Sequence, residues 1–293
     1  MKMPKLERFL PSWKNAALAL LSAILLVLAF PDFGFWFLAW LALVPLLIAV
    51  ESEKESAARC FILGWLWGLV FFTGTCWWLT FAPITYAGFP SVVAYLLLFV
   101  VTAIVGIFPG VFAVVVAISI RRRGLISGFG AAIETWIAME FLRYWLTGNN
   151  WNAIAYSQAF GASLLFPLVS IGGVYLLGAV VVAFNVAIAW FLYLLPPKDR
   201  LWLYLACAGL SCGGFGLLYF LQEAPVDKVT RPSQSPRVIA IQPNVPMSGL
   251  TFEKWKALRA KHVQLAESAL ATINDQRTTP VTVIFPESPM NFA

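Results

Sequence analysis

Charge is scarce in this sequence. Asp, Glu, Lys and Arg make up 12% of the 293 residues, against 60% hydrophobic residues and a mean hydropathy of +0.81. So few polar groups cannot cover a water-soluble globule of this length, which excludes an ordinary soluble fold and leaves lipid as the solvent. There is one histidine, His262, and there are four cysteines, Cys60, Cys76, Cys207 and Cys212, with no CxxC spacing. That argues against a metal site, and nothing else calls for a metal or a cofactor. All four cysteines fall inside apolar runs, away from the electropositive, partly exposed setting that activates a thiol, so they read as small packing residues. Internal repeats and low-complexity tracts are absent as well. Three stretches, 31–34, 81–90 and 147–163, contain no Lys or Arg at all.

What is present is a series of apolar runs near the roughly 20 residues that a helix needs to cross a bilayer. They fall at about 15–30, 35–50, 60–80, 91–120, 125–146, 164–195 and 201–221, which predicts seven spans. The first two are short and share the break Pro31-Asp32-Phe33-Gly34, so a single re-entrant hairpin is an alternative that leaves the parity unchanged. Basic residues resist translocation and mark cytoplasmic segments. Lys2, Lys5, Arg8, Lys14, Lys54, Arg59, Arg121, Arg122, Arg123, Lys198 and Arg200 all lie on the N-terminal side of this scheme. The N-terminus is therefore expected in the cytoplasm and everything after about residue 222 outside it. The net charge of +6 is then mostly a topology signal and not a sign of nucleic-acid binding. The basic and then apolar start, with Ala29 as a small residue before a cut, also has the look of a signal peptide, and an uncleaved anchor is the preferred reading.

Hydropathy drops at Gln222. The expected division is a transmembrane domain over 1–223, a Pro-rich linker over 224–236, and the start of a soluble domain over 237–293. In that last part Arg237 to Ile241 is β-rich, Thr251 to Leu270 is helical and Val281 to Phe285 is β-rich again, a β-α-β unit. Trp255, Leu258, His262, Leu265 and Ala269 form one helical seam, so His262 reads as a packed structural histidine. Two strands and a helix leave sheet edges unpaired and one face uncovered, so further strands are expected from elsewhere.

The second strand runs into Pro286-Glu287-Ser288, placing a carboxylate just past the carboxyl end of a buried strand, where α/β sheets favour active sites. Near Phe285 and Met290, Glu287 can act as a general base. Gln242 and Asn244, after the first strand, read as amides that fix a loop. Within the spans, Glu134, Glu140 and Arg143 are costly intramembrane charges. Glu140 and Arg143 are three apart and can pair on one face, either fixing helix packing or contributing to a lipid headgroup site. Trp151 reads as an interfacial anchor or a substrate-positioning residue.

Several of these features in order resemble bacterial apolipoprotein N-acyltransferase. They are Ala29-Phe30-Pro31, Gly64 and Gly68 with Trp77 and Trp78, Glu140-Phe-Leu-Arg143, Gly148-Asn-Asn-Trp151 continuing to Tyr156-Ser157-Gln158, then Gln242 and Asn244, Lys254-Trp255, and Phe285 to Ser288. The resemblance implies a polytopic α-helical membrane domain of about seven spans followed by the start of an α/β nitrilase-like sandwich with a Glu-Lys-Cys triad. It implies transfer of an acyl chain from a phospholipid to the N-terminal diacylglyceryl-cysteine amine of a lipoprotein through a Cys thioester, in the bacterial cytoplasmic (inner) membrane. Glu287 matches the general base, while Trp151, Tyr156, Gln158, Glu140 and Arg143 become candidate substrate-binding residues near the outer face. The sequence ends at Ala293, before any position for the triad's Lys and Cys, and Lys261 does not match. The expectation is a chain inactive by itself. It would be a fragment, the product of a shortened gene, or a partner of a second chain. Two other function classes share some of these features: a membrane-tethered nitrilase-type amidase, and a transporter with an accessory soluble tail.

Overall fold

The computed structural model describes residues 9–149, 151–159, 165–195, 205–206, 209, 237–242, 244, 251–272 and 281–286. Most of the seventh apolar run, the linker 224–236, Cys207, Cys212 and Glu287 lie outside the described residues, as do Lys2, Lys5, Arg8, Lys198 and Arg200. The chain divides into two compact units, one of 1–81 and 89–224, the other of 82–88 and 225–293.

The first unit is helical. Helix α1, Trp13–Leu28, starts at Ser12, whose hydroxyl accepts from the Asn15 amide. It ends at Ala29-Phe30-Pro31, where the chain turns through Gly34 in the left-handed region at φ +75°. A short 3₁₀ helix, Trp36–Trp40, and α2, Val44–Ser52, carry the chain back. Glu53 thereby returns to the start of α1, accepting from Ser12 N at 2.9 Å and from Asn15 Nδ2 at 2.9 Å. The first two runs are thus two short apolar helices joined as a hairpin.

The irregular stretch 36–43 sits in the protein core, where unsatisfied backbone groups are expensive. Three fully buried side chains supply the missing partners. Ser22 Oγ donates to Ala42 O at 2.6 Å, and Gln158 Nε2 donates to Trp36 O at 3.0 Å. Asn185 works in both directions, accepting from Leu43 N at 2.9 Å and donating to Ala39 O at 2.8 Å.

Three apolar helical stretches among the described residues are long enough to cross a membrane: Ala57–Thr85, Ser91–Thr147 and Pro167–Leu194. The first contains α3, Ala57–Cys76, a 3₁₀ turn Trp77–Thr80 and the short α4, Phe81–Thr85. The second contains α5, Ser91–Val105, and α6, Ile107–Thr147, and it is not straight. At Gly124 the backbone takes φ +84° and ψ 173°, and the chain doubles back. A Cβ on Gly128 would lie 2.6 Å from Ile120 Cα, and the Phe112 and Trp136 rings meet at 5.1 Å. A continuous helix would hold those two rings about 36 Å apart. Arg121, Arg122 and Arg123 lead into this turn, between the predicted spans 91–120 and 125–146. The third stretch is α7, Phe166–Leu194, with a break at Gly172 and Gly173.

Helix α3 meets the α5–α6 junction closely because Gly64 and Gly68 present no side chain there. A Cβ on Gly64 would collide with the Pro109 carbonyl, and one on Gly68 would stand 2.9 Å from Gly106 Cα. Trp67 fills the centre of the unit, stacked on Phe71 at 4.9 Å and edge-on to Trp136 at 5.4 Å, with its indole N–H given to Ser22. Around α5 only Ala94, Leu98 and Thr102 are buried, while its other apolar faces stay exposed, including Leu96, Val100 and Ile104. An apolar surface of that extent is suited to lipid, not to water.

Charge segregates between the two ends of the bundle. At one end lie Glu53 with Arg59, Glu51 with Lys54, and the arginine turn; Tyr193 links them, donating to Glu51 at 2.7 Å and packing on Phe129. The other end holds Asp32, Trp77, Trp78 and the loop after α6.

The second unit contains β1, Arg237–Ala240, α8, Phe252–Ala271, and β2, Val281–Ile284. The strands pair in parallel with Ile239 opposite Val283, the order expected of a β-α-β unit. Thr251 caps α8, and Trp255, Leu258, His262, Leu265 and Ala269 are its sheltered seam together with Ala266. One sheet face carries the exposed Val238 and Ile284.

Candidate functional site

The end of the bundle away from the arginine turn gathers the residues singled out in the C-terminal half of α6 and its following loop. Helix α6 stops at Gly148, which takes φ +74° and closes the last turn onto Tyr144 O. Beyond it the chain runs through Trp151 and Asn152 into a 3₁₀ turn, Ile154–Gln158.

Buried side chains on α6 hold that loop. Glu140 Oε1 accepts from Trp136 Nε1 at 2.9 Å and from the backbone N–H of Ile154 at 2.7 Å. Arg143 donates to Asn152 Oδ1 at 2.8 Å and lies over the Phe72 ring at 5.4 Å. Asn152 passes the connection on to α3, donating to Thr75 Oγ1 at 3.1 Å and to Cys76 Sγ at 3.2 Å. Glu140 and Arg143 do share a buried face, but they are not directly ion-paired. The carboxylate serves the loop backbone and the guanidinium serves the loop amide. The second carboxylate oxygen, Glu140 Oε2, has no hydrogen-bond partner among the described residues, although the residue is only 6% exposed. It borders a cavity of about 30 Å³ walled by Trp67, Phe72, Phe112 and Trp136, enough for one water molecule.

Gln158 is fully buried. Its Oε1 accepts from Trp40 Nε1 at 3.0 Å, and its Nε2 donates to Trp36 O and to Ser157 Oγ. Its amide is therefore spent on anchoring the loop to the 36–40 turn. Tyr156 is partly exposed and Trp151 is 54% exposed. The Trp151 ring lies 5.2 Å from that of Trp78 at an angle of 53°, while Trp77 Nε1 donates to Asp32 Oδ2 at 2.8 Å. Between them opens a pocket of about 210 Å³, bordered by Asp32, Thr75, Trp78, Trp151 and Asn152.

Sequence reasoning did not single out Asn152 or Asp32. Asn152 sits one position past Trp151 in a loop that contains no Asp, Glu, Lys or Arg, and a polar side chain flanking an exposed tryptophan is the signal that would have found it. Asp32 is the only ionisable residue in 31–34, 81–90 and 147–163 apart from tyrosine hydroxyls.

The cysteines on α3 are held in packed positions. Cys60 is buried with its thiol directed at the carbonyls of Val50 and Glu53, and Cys76 receives the Asn152 amide. In the second unit, Gln242 Nε2 donates to Asn244 Oδ1 at 3.3 Å, and Asn244 takes a left-handed φ of +53°, which asparagine tolerates. His262 is fully buried and bonds through Nδ1 to Leu258 O at 2.6 Å. Strand β2 leads through Phe285 and Pro286 to Glu287, which lies outside the described residues.

Residues 22–187 match the model of the apolipoprotein N-acyltransferase N-terminal domain. Among curated relatives, the apolipoprotein N-acyltransferase of Allorhizobium ampelinum is 30% identical over 97% of this chain and 53% of its own length. That of Geobacter metallireducens is 32% identical over 60% of this chain and 33% of its own, and that of Pasteurella multocida is 36% identical over 48% and 26%. The chain thus spans between about a quarter and about a half of the length of these relatives. A domain match across more than half of the chain, a relative aligned along nearly all of it, and an apolar bundle agree: the chain belongs to the apolipoprotein N-acyltransferase family.

Proposed function

We propose that the protein encoded with this chain transfers an acyl group from a membrane phospholipid to the N-terminal amine of a diacylglyceryl lipoprotein. The observation that carries this reading is the family match over residues 22–187, joined to a relative aligned across 97% of the chain. The membrane part has about seven spans, the first two forming a short hairpin, with its N-terminus in the cytoplasm and the residues after about 222 in the periplasm. The segregation of the arginine turn, Lys54 and Arg59 from the Lys- and Arg-free loops supports this orientation. The β-α-β unit opens a nitrilase-like sandwich.

In this chemistry a Cys thiolate attacks the ester carbonyl, the acyl C–O bond breaks, and the lysophospholipid leaves after taking a proton. The lipoprotein amine then attacks the thioester, the C–S bond breaks, and an amide is formed. Glu287 takes the proton from the thiol in the first half and from the amine in the second. A lysine donor stabilises the oxyanion in each half. Trp151 and Tyr156 contact lipid substrates at the interface. Glu140, Arg143 and Gln158 act through the loop they hold, and Gln242 with Asn244 shapes the turn after β1.

The direct test supplies membranes containing the full-length gene product with labelled phospholipid and a synthetic diacylglyceryl-cysteine peptide. Appearance of the N-acylated peptide supports the reading. An unchanged peptide with a membrane-inserted, intact protein contradicts it.

A further inference from the structure

The pocket beside Trp151 has a composition that selects its ligand. We propose that it binds the substituted ammonium headgroup of a lipid, with the Asp32 carboxylate as counter-ion and the Trp78 and Trp151 rings as walls. The inference rests on the reading of this end as the outer membrane interface, and not on acyl transfer.

Three observations carry it. First, Asp32 is the only charged residue bordering the pocket among the described residues. Its Oδ2 is fixed by the Trp77 indole N–H at 2.8 Å, and among the described residues Oδ1 meets no hydrogen-bond partner. A carboxylate oriented by one donor, with an oxygen to spare, is arranged for a cation. Second, Trp78 and Trp151 are 5.2 Å apart and tilted by 53°, so they form two walls of a corner and not a closed stack. Both remain about half exposed, at 43% and 54%, and indole faces are the best side-chain surface for an ammonium ion. Third, the volume of about 210 Å³ accommodates an ammonium with its substituents, whereas the neighbouring 30 Å³ cavity has room only for water.

The surroundings identify the source of the cation as a lipid. Phe33, Phe35, Trp77 and Phe81 are all exposed around this end of the bundle, an aromatic rim of the kind that lies at headgroup depth. The buried Arg143 does not turn the pocket into an anion site. Its NH1 is committed to Asn152 Oδ1, and Asn152 stands between it and the pocket with its own amide turned to Thr75 and Cys76.

The test is calorimetric titration of the full-length protein in a non-ionic detergent with dihexanoyl phosphatidylethanolamine, dihexanoyl phosphatidylcholine and dihexanoyl phosphatidylglycerol, all below their micellar concentrations. The two cationic headgroups should bind saturably, and the glycerol headgroup about tenfold more weakly or not at all. Free ethanolamine is the arm that separates sources: weaker binding than the lipid assigns the site to a headgroup, and equal binding assigns it to any small ammonium and overturns the lipid claim. Trp151→Ala and Asp32→Asn should each weaken phosphatidylethanolamine binding about tenfold, Asp32→Glu should restore most of it, and Trp145→Ala, on an exposed ring outside the pocket, should leave it unchanged. Equal affinity for phosphatidylglycerol in the wild-type protein overturns the proposal whatever the variants do. Acyl transfer is read by product formation and stands or falls separately.

Discussion

Arg143 on α6 and Asn152 in the following loop are joined at 2.8 Å, and Asn152 hands the connection to Thr75 and Cys76 at the end of α3. Two transmembrane helices and the loop beside the proposed headgroup pocket are thereby tied through one side chain. Replacing Asn152 by Leu removes an acceptor from a buried guanidinium and should cost about 1.5–3 kcal/mol. The melting temperature in detergent should fall accordingly, with proteolytic nicking of the 148–158 loop increasing.

Glu140 makes its two hydrogen bonds through one oxygen, to Trp136 and to the Ile154 backbone. Gln retains that acceptor, so Glu140→Gln should melt close to wild type and keep the proposed activity. Glu140→Leu strands a buried backbone N–H and should lose roughly 1–3 kcal/mol. Loss of activity in a normally folded Glu140→Gln protein would show that the charge itself reaches substrate.

The approach of α3 to Pro109 tolerates no side chain at Gly64. Gly64→Ala should destabilise by about 1–3 kcal/mol through forced separation of the helices. Gly130 offers the matched control, since a Cβ there meets nothing within 4 Å; Gly130→Ala should be neutral or slightly stabilising through helix propensity. Thermal denaturation of the two variants side by side checks the contrast.

Glu53, between α2 and α3, has a carboxyl held below the usual glutamate range. Burial pushes it up, but the Ser12 N–H, the Asn15 amide and the Arg59 guanidinium, by hydrogen bonds and by charge, outweigh burial. Because the folded pKa is the lower one, the associated stability is fully present above the ordinary glutamate pKa and is lost as pH falls through the depressed folded value. Acid should therefore loosen the start of α1, and Glu53→Gln should be less stable at neutral pH with a flatter acid limb. Melting temperature against pH for the two proteins tests the sign.

Much of this molecule could be read from local pattern. The seam of α8 from Trp255 to Ala269 follows helical spacing, and the turn at Gly124 was marked by three arginines between two apolar runs. The parallel strand pair coincides with the two β-rich stretches. What escaped was non-local. The spacing of Glu140 and Arg143 placed them correctly on one face, yet suggested that they pair with each other, because the competing partners Ile154 and Asn152 come from a loop whose path is set by tertiary packing. Gln158 looked like a substrate contact in the sequence, but in the fold its amide satisfies the backbone of the 36–40 turn and the Trp40 indole. Neither partner is predictable from a site more than a hundred residues away. The second apolar run looked like a span, and its 3₁₀ start depends on Ser22, Asn185 and Gln158 arriving from three other segments.

The central claim, acyl transfer with Glu287 as the base, is tested most directly by trapping the intermediate. The full-length gene product is incubated with phospholipid radiolabelled in its acyl chain, without acceptor peptide, and run on a denaturing gel before and after hydroxylamine. The wild-type protein should carry label that hydroxylamine releases, and Glu287→Gln, inserted and folded to the same extent, should carry none. Equal labelling of the two proteins, or no label on either, would contradict the account.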